Sequence, residues 1–250
     1  MKFARYEAHG EIAYGVVEGD TVHQLTTTPF ESYQVTDHIH TLDQVRLLAP
    51  VAPQKVMAIA LNYPSHIANR PPPERPEPFF KNPSAVIGPD EAIVVPPGAG
   101  KLDAEGELVV VIGRRAKRVS VEQALDYVLG YTCGNDVSVR PWQQDDLQWW
   151  RAKGSDTFAP LGPFLVTDLD PAKLQIRTRL NGEEKQAASA TELLFDIPTI
   201  VSYITQAVTL EPGDVIYTGT PGVPPELHPG DVVEVEVEGI GVLRNPVRAE

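Results

Sequence analysis

The sequence predicts an α+β fold in which strands dominate, with a small β-rich N-terminal domain over 1–52 and a larger domain over 53–250. Three observations carry this. Valine outnumbers leucine, isoleucine and phenylalanine, a bias towards strands. Val233, Val235 and Val237 alternate with Glu234, Glu236 and Glu238, the period of a strand with one wet face. Ile197, Ile200, Val201, Ile204 and Val208 recur at helical spacing behind Asp196, a residue type that caps helices. A chain of 250 residues buries a core without disulfides or a structural metal.

The elements follow in order. Residues 3–6, 12–17 and 21–25 read as short strands, with Glu18-Gly19-Asp20 as a turn. Residues 26–41 read as loop, and 42–48 as a short ambiguous segment. Pro50 to Pro53 mark a boundary. Lys55 to Leu61 is an apolar strand. The run Pro64 to Pro78 is too rich in proline for a helix of any length or a central strand. It reads as a rigid connector or as a loop over a site. Glu107 to Gly113 has the continuous apolar character of a strand buried on both faces. Ser120-Val121-Glu122-Gln123 has capping-box spacing and predicts a helix over 121–129 that stops at Gly130. Tyr131 to Val139 reads as a strand, and Pro141 opens a short helix through 152. Asn181-Gly182 between Gln175–Leu180 and Glu183–Gln186 predicts a hairpin.

Charge narrows the function. The net charge is −13, with no basic tract, so neither nucleic acid nor an anionic membrane surface is an expected partner. No apolar run approaches the roughly 20 residues that span a bilayer. Met1 to Glu7 has no secretory-signal character, and Cys133 is the single cysteine, so the expected location is cytoplasmic. Cys133 reads as a buried small apolar residue.

Glu105 and Glu107 stand one residue apart where a strand begins. Their side chains share a face, with Cα atoms roughly 6–7 Å apart. Asp136 ends a polar step, Gly134-Asn135-Asp136, inside an apolar strand. Three carboxylates without clustered histidine or cysteine suit a hard cation, Mg²⁺ or Mn²⁺, with positions left open for water or substrate. The simpler reading makes the glutamates the solvent face of a strand end and Asp136 a turn residue. Trp142, Trp149 and Trp150 line a pocket or belong to the core or a subunit interface.

A longer pattern accompanies these residues. It comprises Leu61-Asn62-Tyr63-Pro64-Ser65-His66, Lys81-Asn82-Pro83-Ser84-Ala85, and Asp103 through Gly113. It continues in Gly130-Tyr131-Thr132 through Ser138, Lys153 through Pro163, and Pro212 through Pro221. In order and spacing, from Lys55 to Val247, the chain resembles the fumarylacetoacetate hydrolase superfamily. The first 52 residues resemble the small N-terminal domain of many bacterial members.

The resemblance implies a mixed β-roll catalytic domain over 53–250, a homodimer, and a short carboxylate-bearing substrate. It assigns Glu105, Glu107 and Asp136 to Mg²⁺ or Mn²⁺. It assigns His66 and Lys153 to catalysis, and Gln143, Gly219 and Thr220 to substrate. Lys153 would add positive charge, or move a proton if metal proximity and burial depress its pKa. Thr220 would offer a hydroxyl and an N–H to an anion. The implied activity is cleavage of a C–C bond in a short 2-oxo acid, an acylpyruvate or an oxaloacetate, through a metal-stabilised enolate, by water or by loss of CO₂. The alternatives are keto–enol tautomerisation of oxaloacetate or isomerisation of a 2-hydroxy-dienoic diacid, and a non-catalytic metabolite binder.

Four positions depart from the family pattern. Hydrolytic members carry His-x-x-Glu after Asn-Tyr, whereas this chain reads His66-Ile67-Ala68-Asn69. An amide orients an imidazole but does not stabilise its cation by charge. General-base help is worth roughly 10²–10⁴-fold, so this departure lowers hydrolysis and raises the other reactions. Glu74 is a candidate to compensate. Arg140-Pro141, Lys153-Gly154-Ser155-Asp156 and Ala60 read as local packing changes. The proline-rich loop over 64–78 is expected to act as a lid that carries His66 to substrate, and Arg70 beside it is either solvated or a grip for a distal carboxylate.

Overall fold

The computed structural model describes residues 1–67 and 69–250; Ala68, inside the expected lid, lies outside the described residues. The backbone is organised by a 12-stranded mixed sheet and a five-stranded sheet, with a two-stranded ladder beside them. At the centre of the large sheet lies strand Gly106–Ile112, paired antiparallel with Val128–Asn135 on one side and Val215–Tyr217 on the other. All seven of its residues are buried. Leu108, Val110 and Ile112 enter one apolar cluster, and Val109 and Val111 enter another on the opposite face. An apolar run without alternation is what a strand between two cores requires.

The five-stranded sheet contains the expected hairpin. Gln175–Leu180 pairs with Glu183–Ser189 across Asn181 and Gly182, both at positive φ (52° and 81°), the geometry of a type I′ turn. Its neighbour Val232–Val237 alternates half-buried and buried residues as the valine pattern predicts. Helix Ile197–Ala207 buries Ile197, Ile200, Val201 and Ile204, and the Asp196 carboxylate accepts from the Thr199 N–H at 2.9 Å.

Several elements differ from the sequence reading. Within 26–41, Val35–Thr41 is a strand at the edge of the large sheet, paired with Thr21–Leu25. An edge strand with Val35 and Ile39 exposed has little apolar alternation to betray it. The helix expected over 121–129 is a 3₁₀ helix, Val121–Tyr127, whose Ser120 side chain does not cap it. It buries only Ala124, so no apolar face holds a regular helix against the core. The helix expected from 141 to 152 is two, Arg140–Asp145 and Trp150–Gly154, separated at the fully exposed Leu147. The proline-rich stretch holds a single helical turn, Pro64–Ile67, and then joins strand Glu77–Lys81.

The N-terminal strands do not form a detached unit. Lys2–Ala8 pairs with Ala159–Val166, so the large sheet runs through both halves of the chain. Phe3, Val16 and Leu25 join the same apolar cluster as Val109 and Val111.

Candidate functional site

The expected strand Tyr131–Val139 breaks at Asp136 and Val137, between Val128–Asn135 and Ser138–Val139. The break lets the Asp136 N–H donate to the Glu105 carbonyl at 2.8 Å. Asn135 Oδ1 accepts from the Glu105 N–H at 2.9 Å. Glu105 and Glu107 flank Gly106, whose Cβ position lies 2.0 Å from Thr178 Oγ1, so only glycine fits against the five-stranded sheet there. Glu105, Glu107 and Asp136 are all buried, and each offers an oxygen within 4.8 Å of the others.

Two buried lysines and the half-buried Arg140 surround this cluster. Lys153 Nζ donates to Glu105 Oε2 at 2.5 Å and to Asp136 Oδ2 at 2.7 Å. Lys81 Nζ donates to Asp136 Oδ1 and to the Lys153 carbonyl. Arg140 bridges Asp103 Oδ2 (2.7 Å) and Glu105 Oε1 (2.5 Å), and its Nη1 donates to Gln143 Oε1 at 2.8 Å. Lys81 and Arg140 are the residues that sequence reasoning left without a role. The only signal for Lys81 was its place in the Lys-Asn-Pro-Ser-Ala stretch, and Arg140 was visible only as half of a departure.

The charges are unevenly balanced. Burial opposes ionisation of Glu105, but Lys153, Arg140 and His66 overcome it and hold the carboxyl well below the usual range. Burial, then Asp136 and Glu105, push Glu107 well above that range. For Lys153, burial is outweighed by Asp136 and Glu105, which keep the ammonium charged and its pKa raised. Lys81 is the lysine whose pKa burial lowers. A buried carboxylate that like charges keep from ionising, in an all-oxygen set, is the chemistry that a hard divalent cation satisfies, so these residues fit such an ion.

The other expected residues gather around the same cluster. His66 sits on the single helical turn. Its Nδ1 is 2.9 Å from the Gly222 carbonyl, which only accepts, so Nδ1 carries the proton. Nε2 then faces the carboxylate cluster, 3.9 Å from Glu105 Oε1. Asn69 and Glu74 are exposed, and neither lines the cavity with His66, so the glutamate considered as compensation is not in place. Thr220 donates its hydroxyl to the Gly106 carbonyl at 3.0 Å and accepts from Gln186 Nε2 at 2.9 Å. Gly219 donates its N–H to Glu107 Oε2 at 2.7 Å. Both Thr-Gly-Thr groups therefore brace the carboxylate cluster. His66, Gln143, Lys153, Thr220 and the three carboxylates line one cavity of about 110 Å³. A wider recess of about 440 Å³ shares His66, Arg140, Gln143 and Trp149 with it. Of the tryptophans, Trp149 stacks edge-on against Phe79 at 5.3 Å, Trp142 packs under the Arg151 guanidinium, and Trp150 is exposed.

Comparison with known proteins agrees with this picture. Residues 55–248 match the family model described as fumarylacetoacetate (FAA) hydrolase, C-terminal, and residues 1–50 match Rv2993c-like, N-terminal. A crystal structure of 5-carboxymethyl-2-hydroxymuconate delta-isomerase from Mycobacterium smegmatis superposes with a TM-score of 0.95 at 43% identity, covering 100% of both chains. Mitochondrial oxaloacetate tautomerase fahd2 of Xenopus laevis is 39% identical over 92% of this chain and 76% of its own length. Maleylpyruvate hydrolase from Sphingobium sp. SYK-6, crystallised with manganese(II) and pyruvate, matches with a TM-score of 0.84 at 29% identity, over 100% of this chain and 99% of its own.

Proposed function

The chain belongs to the fumarylacetoacetate hydrolase family, and from that premise we propose that it enolises a short 2-oxo acid, with keto–enol tautomerisation as the net reaction. One observation carries this reading. A charged Lys153 and the Nε2 side of His66 converge on one small cavity with three buried carboxylates, while no carboxylate partners His66 Nδ1 among the described residues. That set moves a proton between carbon and oxygen without activating water.

Glu105, Glu107 and Asp136 would hold Mg²⁺ or Mn²⁺. A divalent cation there supplies positive charge to the oxygen on which an enolate develops. The chain's own groups do the rest. His66 Nε2 takes the proton from the carbon beside the oxo group. Lys153 lends charge on the oxygen side, to which His66 returns the proton it has taken. Gln143 and the N–H of Thr220, which has no acceptor among the described residues, orient the substrate carboxylate. The relatives named for tautomerase and isomerase activity support this reading.

C–C cleavage, by water or by loss of CO₂, is the second reading, favoured by the same placement of His66 Nε2 beside the carboxylate cluster. The test incubates metal-stripped protein with oxaloacetate or acetylpyruvate, with and without Mn²⁺, and follows enol absorbance and pyruvate in parallel. Metal-dependent interconversion that disappears in Glu107→Ala is the expected result. Pyruvate release without accelerated interconversion puts cleavage first, and no turnover of either substrate overturns both.

A further inference from the structure

We infer that Arg70 reads a second carboxylate, so that the substrate is a short 2-oxo dicarboxylate rather than a 2-oxo monoacid. The inference rests on the enolisation reading and narrows its substrate class.

Most cations at the site are already committed to carboxylates. Lys81 is held by Asp136, Lys153 lies between Glu105 and Asp136, and Arg140 bridges Asp103 and Glu105. Lys101, at the edge of the recess, is 3.3 Å from Asp103. Arg70 lines both the inner cavity and the wider recess. It is exposed, and its guanidinium has no ion pair or hydrogen bond among the described residues. Only its backbone N–H is engaged, with the Ile67 carbonyl at 3.1 Å. In a chain with 34 acidic residues against 21 basic ones, an arginine with no carboxylate partner beside an acidic cluster is an available anion receptor.

The rest of the wall explains why a receptor is needed. Ile59, Leu61 and Phe79 are apolar and offer a second carboxylate nothing, and Trp149 offers only a neutral indole N–H. Glu105, Glu107 and Asp136 repel it. A dicarboxylate whose 2-oxo end enters among Lys153, Gln143 and Thr220 must leave its other carboxylate towards the mouth, where Arg70 stands. The planar guanidinium fork matches a carboxylate in two parallel hydrogen bonds, which a lysine does not reproduce. The turn that precedes Arg70 is anchored: the His66 and Ile67 N–H groups donate to the Tyr63 carbonyl, and Ser65 Oγ accepts from the Gly222 N–H at 3.0 Å.

The experiment compares ligands that differ only in the second carboxylate. Malate and 2-hydroxybutyrate are titrated calorimetrically into Mn²⁺-loaded wild type, Arg70→Gln and Arg70→Lys, and kcat and KM are measured with oxaloacetate and 2-oxobutyrate. Wild type is expected to bind malate about tenfold or more tighter than 2-hydroxybutyrate, the scale of hydrogen bonds to a charged group. Arg70→Gln is expected to remove most of that preference, with the kinetic loss falling on the KM for oxaloacetate, and Arg70→Lys to keep part of it. An equal affinity of wild type for the two ligands, or a preference that survives Arg70→Gln, overturns the inference. Failure of the enolisation reading looks different: malate is still preferred through Arg70, but oxaloacetate is not turned over.

Discussion

Gly219 donates its backbone N–H to Glu107 Oε2 at 2.7 Å, and it does so from a left-handed conformation with φ of 107°. The bond fixes one oxygen of Glu107 within reach of Glu105 and Asp136. A Cβ at Gly219 would lie 2.8 Å from the Asn62 Cβ. Asn62 has little room to give, because its side chain is tied to the Thr218 carbonyl at 2.8 Å and to the Phe195 N–H at 2.8 Å. Gly219→Ala should therefore cost roughly 1–3 kcal/mol of stability through backbone strain. It should also weaken Mn²⁺ binding about tenfold by releasing Glu107, on the scale of a lost outer partner at a metal site. Thermal melts and metal titration read the two effects separately. Lower stability with unchanged Mn²⁺ affinity would show that the N–H has no part in placing Glu107.

The raised pKa of Glu107 gives cation binding a direction with pH. Burial, Asp136 and Glu105 push this carboxyl up, so without a cation the folded chain holds the proton more tightly than the unfolded chain. The stability that this contributes is complete below the ordinary carboxylate value and is lost as pH rises through the raised one. A divalent ion takes the place of that proton. Added Mn²⁺ should accordingly raise the melting temperature by more at pH 8 than at pH 6. Glu107→Gln, which is neutral throughout, should flatten the pH dependence of the cation-free protein. Melts in EDTA and in Mn²⁺ at the two pH values test this, and an equal Mn²⁺ increment at both would contradict it.

What could be read in the sequence was what local pattern encodes. The Glu105–Glu107 spacing, the Asn181-Gly182 turn and the Ile197–Ala207 helix each follow from residues within a few positions of one another. The roles of Lys81 and Arg140 did not. Lys81 meets Asp136 across 55 residues and Arg140 meets Asp103 across 37, and neither neighbourhood hints at its partner. Lys81 ends a strand whose Glu77 and Phe80 are exposed, so it reads as one more surface lysine. The 3₁₀ helix Val121–Tyr127 misled for the opposite reason. Its capping signal was local, but the Ser120 side chain makes no cap bond, Val121 and Leu125 are exposed, and tertiary packing gave it no broad face to bury.

Cys133 should be inert in the native protein. It lies fully buried in the strand beside Gly106–Ile112, and burial pushes its thiol up to about 12. Reaction needs the thiolate and access to it, and at pH 8 the folded chain supplies neither. A disulfide reagent should therefore modify the native protein only at the rate at which it unfolds, and should find one thiol at once in denaturant. Rapid labelling of the native protein would show that this strand opens locally.

Asn69 bears on which reaction follows enolisation. His66 Nδ1 is spent on the Gly222 carbonyl at 2.9 Å, a neutral acceptor that orients the ring but does little to hold its cation. Position 69 lies three residues beyond His66, where hydrolytic members of the family carry their glutamate. A carboxylate there would stabilise the imidazolium that appears when Nε2 takes a proton from water. Asn69→Glu should raise acetylpyruvate hydrolysis about tenfold or more, within the roughly 10²–10⁴-fold that general-base catalysis supplies, and His66→Ala in the same background should abolish the gain. The interconversion of oxaloacetate tautomers needs no activated water and should gain nothing. Strong hydrolysis by the wild type that Asn69→Glu leaves unimproved would mean that water is already activated by another group, and would move C–C cleavage ahead of tautomerisation.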